Sequence, residues 1–100
     1  MNYSFTNLIW QYHGKGDWVF VSLPKAMAAE IRSANQAFEE GWGRLKVTAK
    51  IGELKWKTAI WYDTKLDTYL LPLKTEIRKK GNLAVEYCVT VHLSLWSFVP

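Results

Sequence analysis

Cys88 and His92 are the residue types from which a nucleophile and its general base are made. Both fall on one face of a stretch that alternates apolar and polar residues, so both are expected on the same side of a β-strand. Four residues along a strand span roughly 13 Å, whereas a thiol and an imidazole must come within about 3 Å to share a proton. The pair therefore reads as a small thiol and a surface histidine. His13, at the lip of a glycine-containing turn, is expected to face solvent. No pair among these residues has C-x-x-C or H-x-x-x-H spacing, so no metal site is assigned. Gly14-Lys15-Gly16 joins two β-rich runs and has no helix N-terminus behind it to attract a phosphate. Glu39, Glu40, Asp63 and Asp67 fall in expected loops, where carboxylates are solvated. The chain reads as a non-enzyme, with no catalytic residue, no cofactor and no metal.

Two surfaces remain for binding. If Gly52-Glu53 is a hairpin tip, Lys50 falls opposite Lys55 and Thr48 opposite Lys57, with Lys46 and Trp61 further down the same face. Like charges directly opposite each other are mildly destabilising, and an anionic partner would relieve them. Lysines also keep a sheet soluble and guard its edges, which is the simpler use of the same residues. Thirteen Lys and Arg against nine Asp and Glu give a net charge of +4, which permits an anionic partner without demanding one. The second surface is aromatic. Six tryptophans, at positions 10, 18, 42, 56, 61 and 96, are too many to bury completely in one small core. An exposed cluster would line a groove for a flat or apolar ligand. Trp42, between Gly41 and Gly43, and Trp61 are the rings expected at the surface.

These residues must be positioned by a single domain over residues 1–100, since 100 residues with 49% hydrophobic and 22% charged side chains is ordinary globular material. One cysteine excludes an intrachain disulfide and favours a reducing compartment. The N-terminal run Met1 to Trp10 lacks the basic residues and apolar stretch of a signal peptide. No apolar run approaches the roughly 18 residues of a membrane span, so the cytoplasm is expected.

Alternation dominates the chain. Leu45, Val47, Ala49 and Ile51 interleave with Arg44, Lys46, Thr48 and Lys50, and after Gly52-Glu53 a returning strand puts Leu54 opposite Ile51 and Trp56 opposite Ala49. Glycine at the first turn position suits a type II′ hairpin. Val85, Tyr87, Val89, Val91, Leu93 and Leu95 predict one long final strand. Tyr3 to His13 and Trp18 to Leu23 predict an earlier hairpin, and Thr68 to Leu73 another strand. After Pro24, the spacing of Met27, Ala28, Ile31 and Ala34 predicts a helix. Residues 35–43 read as a connection, and Leu73 to Lys80 as a short helix or turn stopped by Gly81-Asn82. The order Ile9-Trp10, strand, Leu23-Pro24, Glu30-Ile31-Arg32 recurs as Ile60-Trp61, strand, Leu71-Pro72, Glu76-Ile77-Arg78. The expected fold is therefore mainly β, a small barrel of about six strands with one α-helix and one short helix in a pseudo-two-fold repeat.

Trp18-Val19-Phe20-Val21-Ser22-Leu23-Pro24 with Ala28 and Ile31, Val47 to Gly52, Tyr69-Leu70-Leu71-Pro72-Leu73-Lys74 and Ile77-Arg78-Lys79 together resemble the bacterial family called domain of unknown function 1905. The likeness covers nearly the whole chain and implies a double-split β-barrel of two repeats. It carries over no site residues. Where that family tends to place Gly-Asp, this chain has Glu86-Tyr87. More distantly, Thr68 to Val91 resembles the swapped-hairpin module of AbrB-type transcription regulators, which bind DNA as dimers. That likeness implies basic contacts from Arg78, Lys79 and, in the first repeat, Arg32. The functional expectation is a small ligand- or partner-binding module, with nucleic-acid binding by Lys46, Lys50, Lys55, Lys57, Arg32, Arg78 and Lys79 as the alternative.

Overall fold

Each alternating run becomes a strand because its apolar set faces a common interior. A computed structural model describes residues 2–14, 16–35 and 43–95. The elements are β1 (Asn2–Gln11), β2 (Val19–Ser22), α1 (Lys25–Asn35), β3 (Arg44–Ile51), β4 (Leu54–Asp63), β5 (Thr68–Pro72), α2 (Thr75–Gly81) and β6 (Cys88–Leu95). The strands pair antiparallel in the order β1-β2-β5-β4-β3-β6, and β6 returns to β1 to close the barrel. Closure removes every exposed sheet edge. Ile9, Val21, Val47, Ala49, Ile60, Leu71, Val91 and Leu93 fill the interior and are almost wholly buried. In a barrel this narrow the side chains themselves are the core.

The central hairpin has the register its side chains demand. Ile51 pairs with Leu54, Ala49 with Trp56, Thr48 with Lys57 and Lys50 with Lys55. Gly52 turns the chain at φ 58 while Glu53 keeps a negative φ, the combination a type II′ turn requires.

The final strand is shorter than its alternation predicts. It begins at Cys88, and Val85 and Tyr87 are 39% and 51% exposed instead of facing inward. Glu86 has φ 74, a left-handed conformation that turns the chain. Its N–H donates to the Ile9 carbonyl at 2.7 Å and the Ile9 N–H donates to the Tyr87 carbonyl at 2.9 Å, so two residues of one strand oppose one of the other. This is a bulge, and it ends the inward alternation. A left-handed non-glycine residue costs about 1–2 kcal/mol, of which glycine's greater unfolded-state freedom takes back about 0.5–1 kcal/mol. Glu86→Gly is therefore expected to raise stability by about 0.5–1 kcal/mol, seen as a higher urea midpoint at unchanged slope. A lowered midpoint would mean that the Glu86 side chain contributes more than its backbone strain removes.

Helix α1 follows Pro24, whose carbonyl accepts the first helical bond from Ala28 N–H at 2.9 Å. Ala28, Ile31 and Asn35 are buried, whereas Ala34, expected on the inner face, is exposed. At about 100° per residue the three buried positions form one stripe and Ala34 falls outside it. Asn35 survives burial because its Nδ2 donates to the Ile31 carbonyl at 2.9 Å. The helix also passes near β1. The Tyr3 hydroxyl titrates above its ordinary range, first because burial disfavours the phenolate and second because the Glu30 carboxylate repels it. Helix α2 runs through Gly81 and closes on Asn82, which is left-handed at φ 53 and ψ 46. Leu83 N–H donates back to the Arg78 carbonyl at 2.9 Å, the bond of a Schellman ending.

The strand order is unchanged when β1, β2 and β3 are exchanged with β4, β5 and β6. Leu23 N–H donates to the Tyr69 carbonyl at 3.0 Å, and Leu73 N–H to the Val19 carbonyl at 2.8 Å. These bonds exchange with each other, since Leu23 to Leu73 and Val19 to Tyr69 are both steps of 50 positions. The correspondence expected between Pro24 and Pro72 fails. Pro72 ends β5 opposite Phe20, and the residue that precedes α2 as Pro24 precedes α1 is Lys74. Likewise Glu30-Ile31-Arg32 lies in the second half of α1, while Glu76-Ile77-Arg78 lies in the first turns of α2. Inward burial sets the register, and it matches Leu23 with Leu73, so the repeated Leu-Pro pair is two positions out of step.

Candidate functional site

Period two decides which aromatic rings leave the core. With Ile9, Val21, Ile60 and Leu71 inside, their neighbours Trp10, Phe20, Trp61 and Leu70 must project outward from β1, β2, β4 and β5. These four strands are consecutive in the barrel, so its outer face there is apolar as well. Trp10 and Phe20 are paired across β1 and β2 with centroids 5.3 Å apart. Trp18 stacks on Phe20 at 6.0 Å and 4°, and meets Trp61 edge-on at 5.0 Å. The Trp10 indole N–H is satisfied by Ser22 Oγ at 2.8 Å.

Two hollows meet on this face. The smaller, about 260 Å³, is walled by Tyr12, Trp18, Phe20, Trp61, Tyr62 and Leu70. The larger, about 640 Å³, runs along Trp10, Tyr12, Arg32, Tyr62 and Asp63 to the loop of Thr64, Lys65 and Leu66. Tyr12, Tyr62 and Asp63 line both, which makes them one cleft at the rim of the barrel. Its mouth is apolar: Tyr12, Trp18 and Leu66 are 47%, 42% and 42% exposed. Exposed large apolar groups gathered at one concavity mark a binding surface more strongly than the same groups scattered singly.

A half-buried cation stands among the walls of the cleft. The Arg32 guanidinium, carried by α1, lies over the Tyr62 ring with 3.8 Å to its centroid. Its Nη1 is shielded from solvent and has no hydrogen-bond partner. Tyr62 is a fixed platform for that charge. Its hydroxyl donates to Asp67 Oδ1 and its ring stands edge-on to buried Tyr69 at 5.3 Å. Asp63, expected in a loop, is the half-buried last residue of β4, and its Oδ1 accepts the Leu66 N–H at 2.9 Å.

Residues 5–93 match the family described as a domain of unknown function (DUF1905). The chain belongs to this family. The matched segment includes every residue named on the cleft walls. No curated protein matches the chain.

In this DUF1905 domain the basic residues singled out from the sequence occupy three separate places. Lys46, Lys50, Lys55 and Lys57 are exposed on the outer face of β3 and β4, with Lys50 opposite both Lys55 and, on β6, His92. Arg78 is tied to its own surroundings: Nε donates to the Leu73 carbonyl at 3.0 Å and Nη2 to Thr75 Oγ1 at 3.2 Å. Lys79 beside it is exposed. Arg32 is inside the cleft. Trp61, expected at the surface, is half-buried beneath Trp18 and Phe20, with the Arg44 guanidinium 5.2 Å from its ring. Trp42 lies outside the described residues. Cys88, His92 and His13 are exposed, and none lines the cleft. Among the described residues no three His, Cys, Asp or Glu gather as metal ligands, and no helix is long and apolar enough to cross a membrane.

Sequence reasoning missed Tyr12, Tyr62 and the place of Arg32. A signal was present for part of the site. Ile9-Trp10 and Ile60-Trp61 each set an outward ring beside an inward isoleucine, which the alternation rule reads directly. Nothing in the sequence reports that α1 carries Arg32 over the end of β4.

Proposed function

We propose that this DUF1905 barrel is a binding module that takes a small, flat, largely apolar ligand in the rim cleft without transforming it. The observation that carries the reading is the joined aromatic cleft, whose larger hollow of about 640 Å³ is of the size small ligands occupy. That none of its described walls is a histidine or cysteine supports binding without chemistry. The single exposed thiol of Cys88 supports a reducing, cytoplasmic setting. The exchangeable strand order and hydrogen bonds support descent from an internal duplication.

Titration with 2-naphthoate and naphthalene-2-carboxamide, followed through the indole N–H resonances, tests the reading. Trp10, Trp18 and Trp61 are expected to shift, while Trp56, on β4 away from the cleft, stays still. Trp18→Ala should weaken binding about three- to tenfold, the worth of one aromatic contact. Shifts that spare the cleft tryptophans would place the ligand elsewhere and end this reading.

A second reading is favoured by Lys50 standing directly opposite Lys55, a repulsion that phosphates would relieve. A nucleic-acid site there predicts that log affinity for duplex DNA falls linearly with log salt, with a slope of about 0.9 per phosphate neutralised. Lys50→Glu with Lys55→Glu should abolish that binding, and Arg78→Glu should leave it intact. Filter binding at low salt that detects no complex would reduce the lysines to a solubilising face.

A further inference from the structure

We infer that the ligand of the rim cleft carries a carboxylate, and that Arg32 is the residue that holds it. The inference rests on the ligand-binding reading above and adds the chemical class.

A guanidinium remains charged at every pH at which the protein is folded, so shielding even one of its nitrogens from water must be compensated. Among the described residues Arg32 has the face of the Tyr62 ring, at 3.8 Å, as its partner, and its Nη1 makes no hydrogen bond. Stacking uses the flat face of the group and leaves the N–H donors pointing outward in its plane. That is the arrangement a carboxylate meets with two parallel hydrogen bonds. A neutral carbonyl would satisfy the donor but leave the charge unanswered.

The charge count selects a monoanion. Among the described lining residues, Arg32 and Lys65 against Asp63 leave the larger hollow at +1, which one carboxylate neutralises and a phosphate dianion would exceed. Asp63 already accepts the Leu66 N–H, and the Tyr62 hydroxyl is turned to Asp67. The remaining walls call for a flat apolar body attached to the carboxylate. Trp18, Phe20 and Trp61 line the adjoining hollow, which opens from the Arg32 side at Tyr12 and Tyr62.

The test uses the matched pair 2-naphthoate and naphthalene-2-carboxamide, alike in shape and unlike in charge, titrated calorimetrically at neutral pH and low salt. Wild type is expected to bind the naphthoate about tenfold or more tightly than the amide. Arg32→Gln should erase the preference by weakening the naphthoate about tenfold or more, while the amide, which can lose at most one neutral hydrogen bond, weakens less. Shifts of the Trp18 and Trp61 indole N–H resonances on adding the amide to the variant show that it retains its cleft. Equal affinity of wild type for both compounds overturns the carboxylate inference and leaves the cleft reading standing. A preference that survives in Arg32→Gln overturns the assignment to Arg32. If neither compound binds, both readings fall.

Discussion

Leu71→Ala is expected to lower folding stability by about 2–5 kcal/mol, the range for deleting a buried leucine from a packed interior. Leu71 is fully buried and pairs with Val21 at the middle of the ladder between β2 and β5. That ladder joins the two halves of the barrel, and β2 is only four residues long, so little neighbouring structure can move in to fill the space. A domain this size has about 5–15 kcal/mol in total, so the variant stands near the edge of folding at physiological temperature. Urea denaturation should show a lower midpoint with the slope unchanged. The adjacent Leu70 projects the other way, onto the floor of the cleft, so Leu70→Ala should weaken naphthoate binding as well. A loss below about 1 kcal/mol for Leu71→Ala would mean that the barrel interior relaxes around the gap, contrary to its tight packing.

Thr68→Val should cost about 1–3 kcal/mol although it preserves shape. The Thr68 hydroxyl donates to the Leu23 carbonyl at 2.7 Å, and both groups are buried. Leu23 is the turning point from β2 into α1, so this bond joins the start of β5 to the entry of the helix that carries Arg32. Valine removes the donor and leaves a buried carbonyl without it. For a domain of this length each kcal/mol lowers the melting temperature by about 4–8 °C, within reach of calorimetry. Thr68→Ser keeps the hydroxyl and should recover most of the loss, the remainder being one buried methyl, about 0.8 kcal/mol. If serine is as unstable as valine, the methyl and not the hydrogen bond is what matters at this position.

The fold was legible to the extent that it follows from local pattern. Alternation at Leu45 to Ile51 and Leu54 to Ile60, with a glycine between, determines the central hairpin and its register, because a slip of one residue would turn every apolar side chain to water. The helix after Pro24 is equally local. The final strand is shorter than its alternation because Val85 and Tyr87 keep the apolar period while Glu86 takes a left-handed conformation that composition does not reveal. The repeat was legible in its order and misaligned in its residues, since matching letters at Leu-Pro compete with inward burial, and burial governs packing.

The candidate site divides along the same line. By itself the sequence determined that this is a mainly β domain with an aromatic excess, and that Trp61 and the lysines of the central hairpin share one outer face. All of these follow from a two-residue period acting on neighbours in the chain. Tertiary structure alone decided that Arg32 belongs to the aromatic cleft and not to the basic surface, because its surroundings come from Tyr62, 30 positions away on β4, and Trp10, 22 positions away on β1. The charge of Arg32 is written in the sequence. Its stacking on Tyr62 arises only when α1 packs beside the ends of strands that closure of the barrel has brought together.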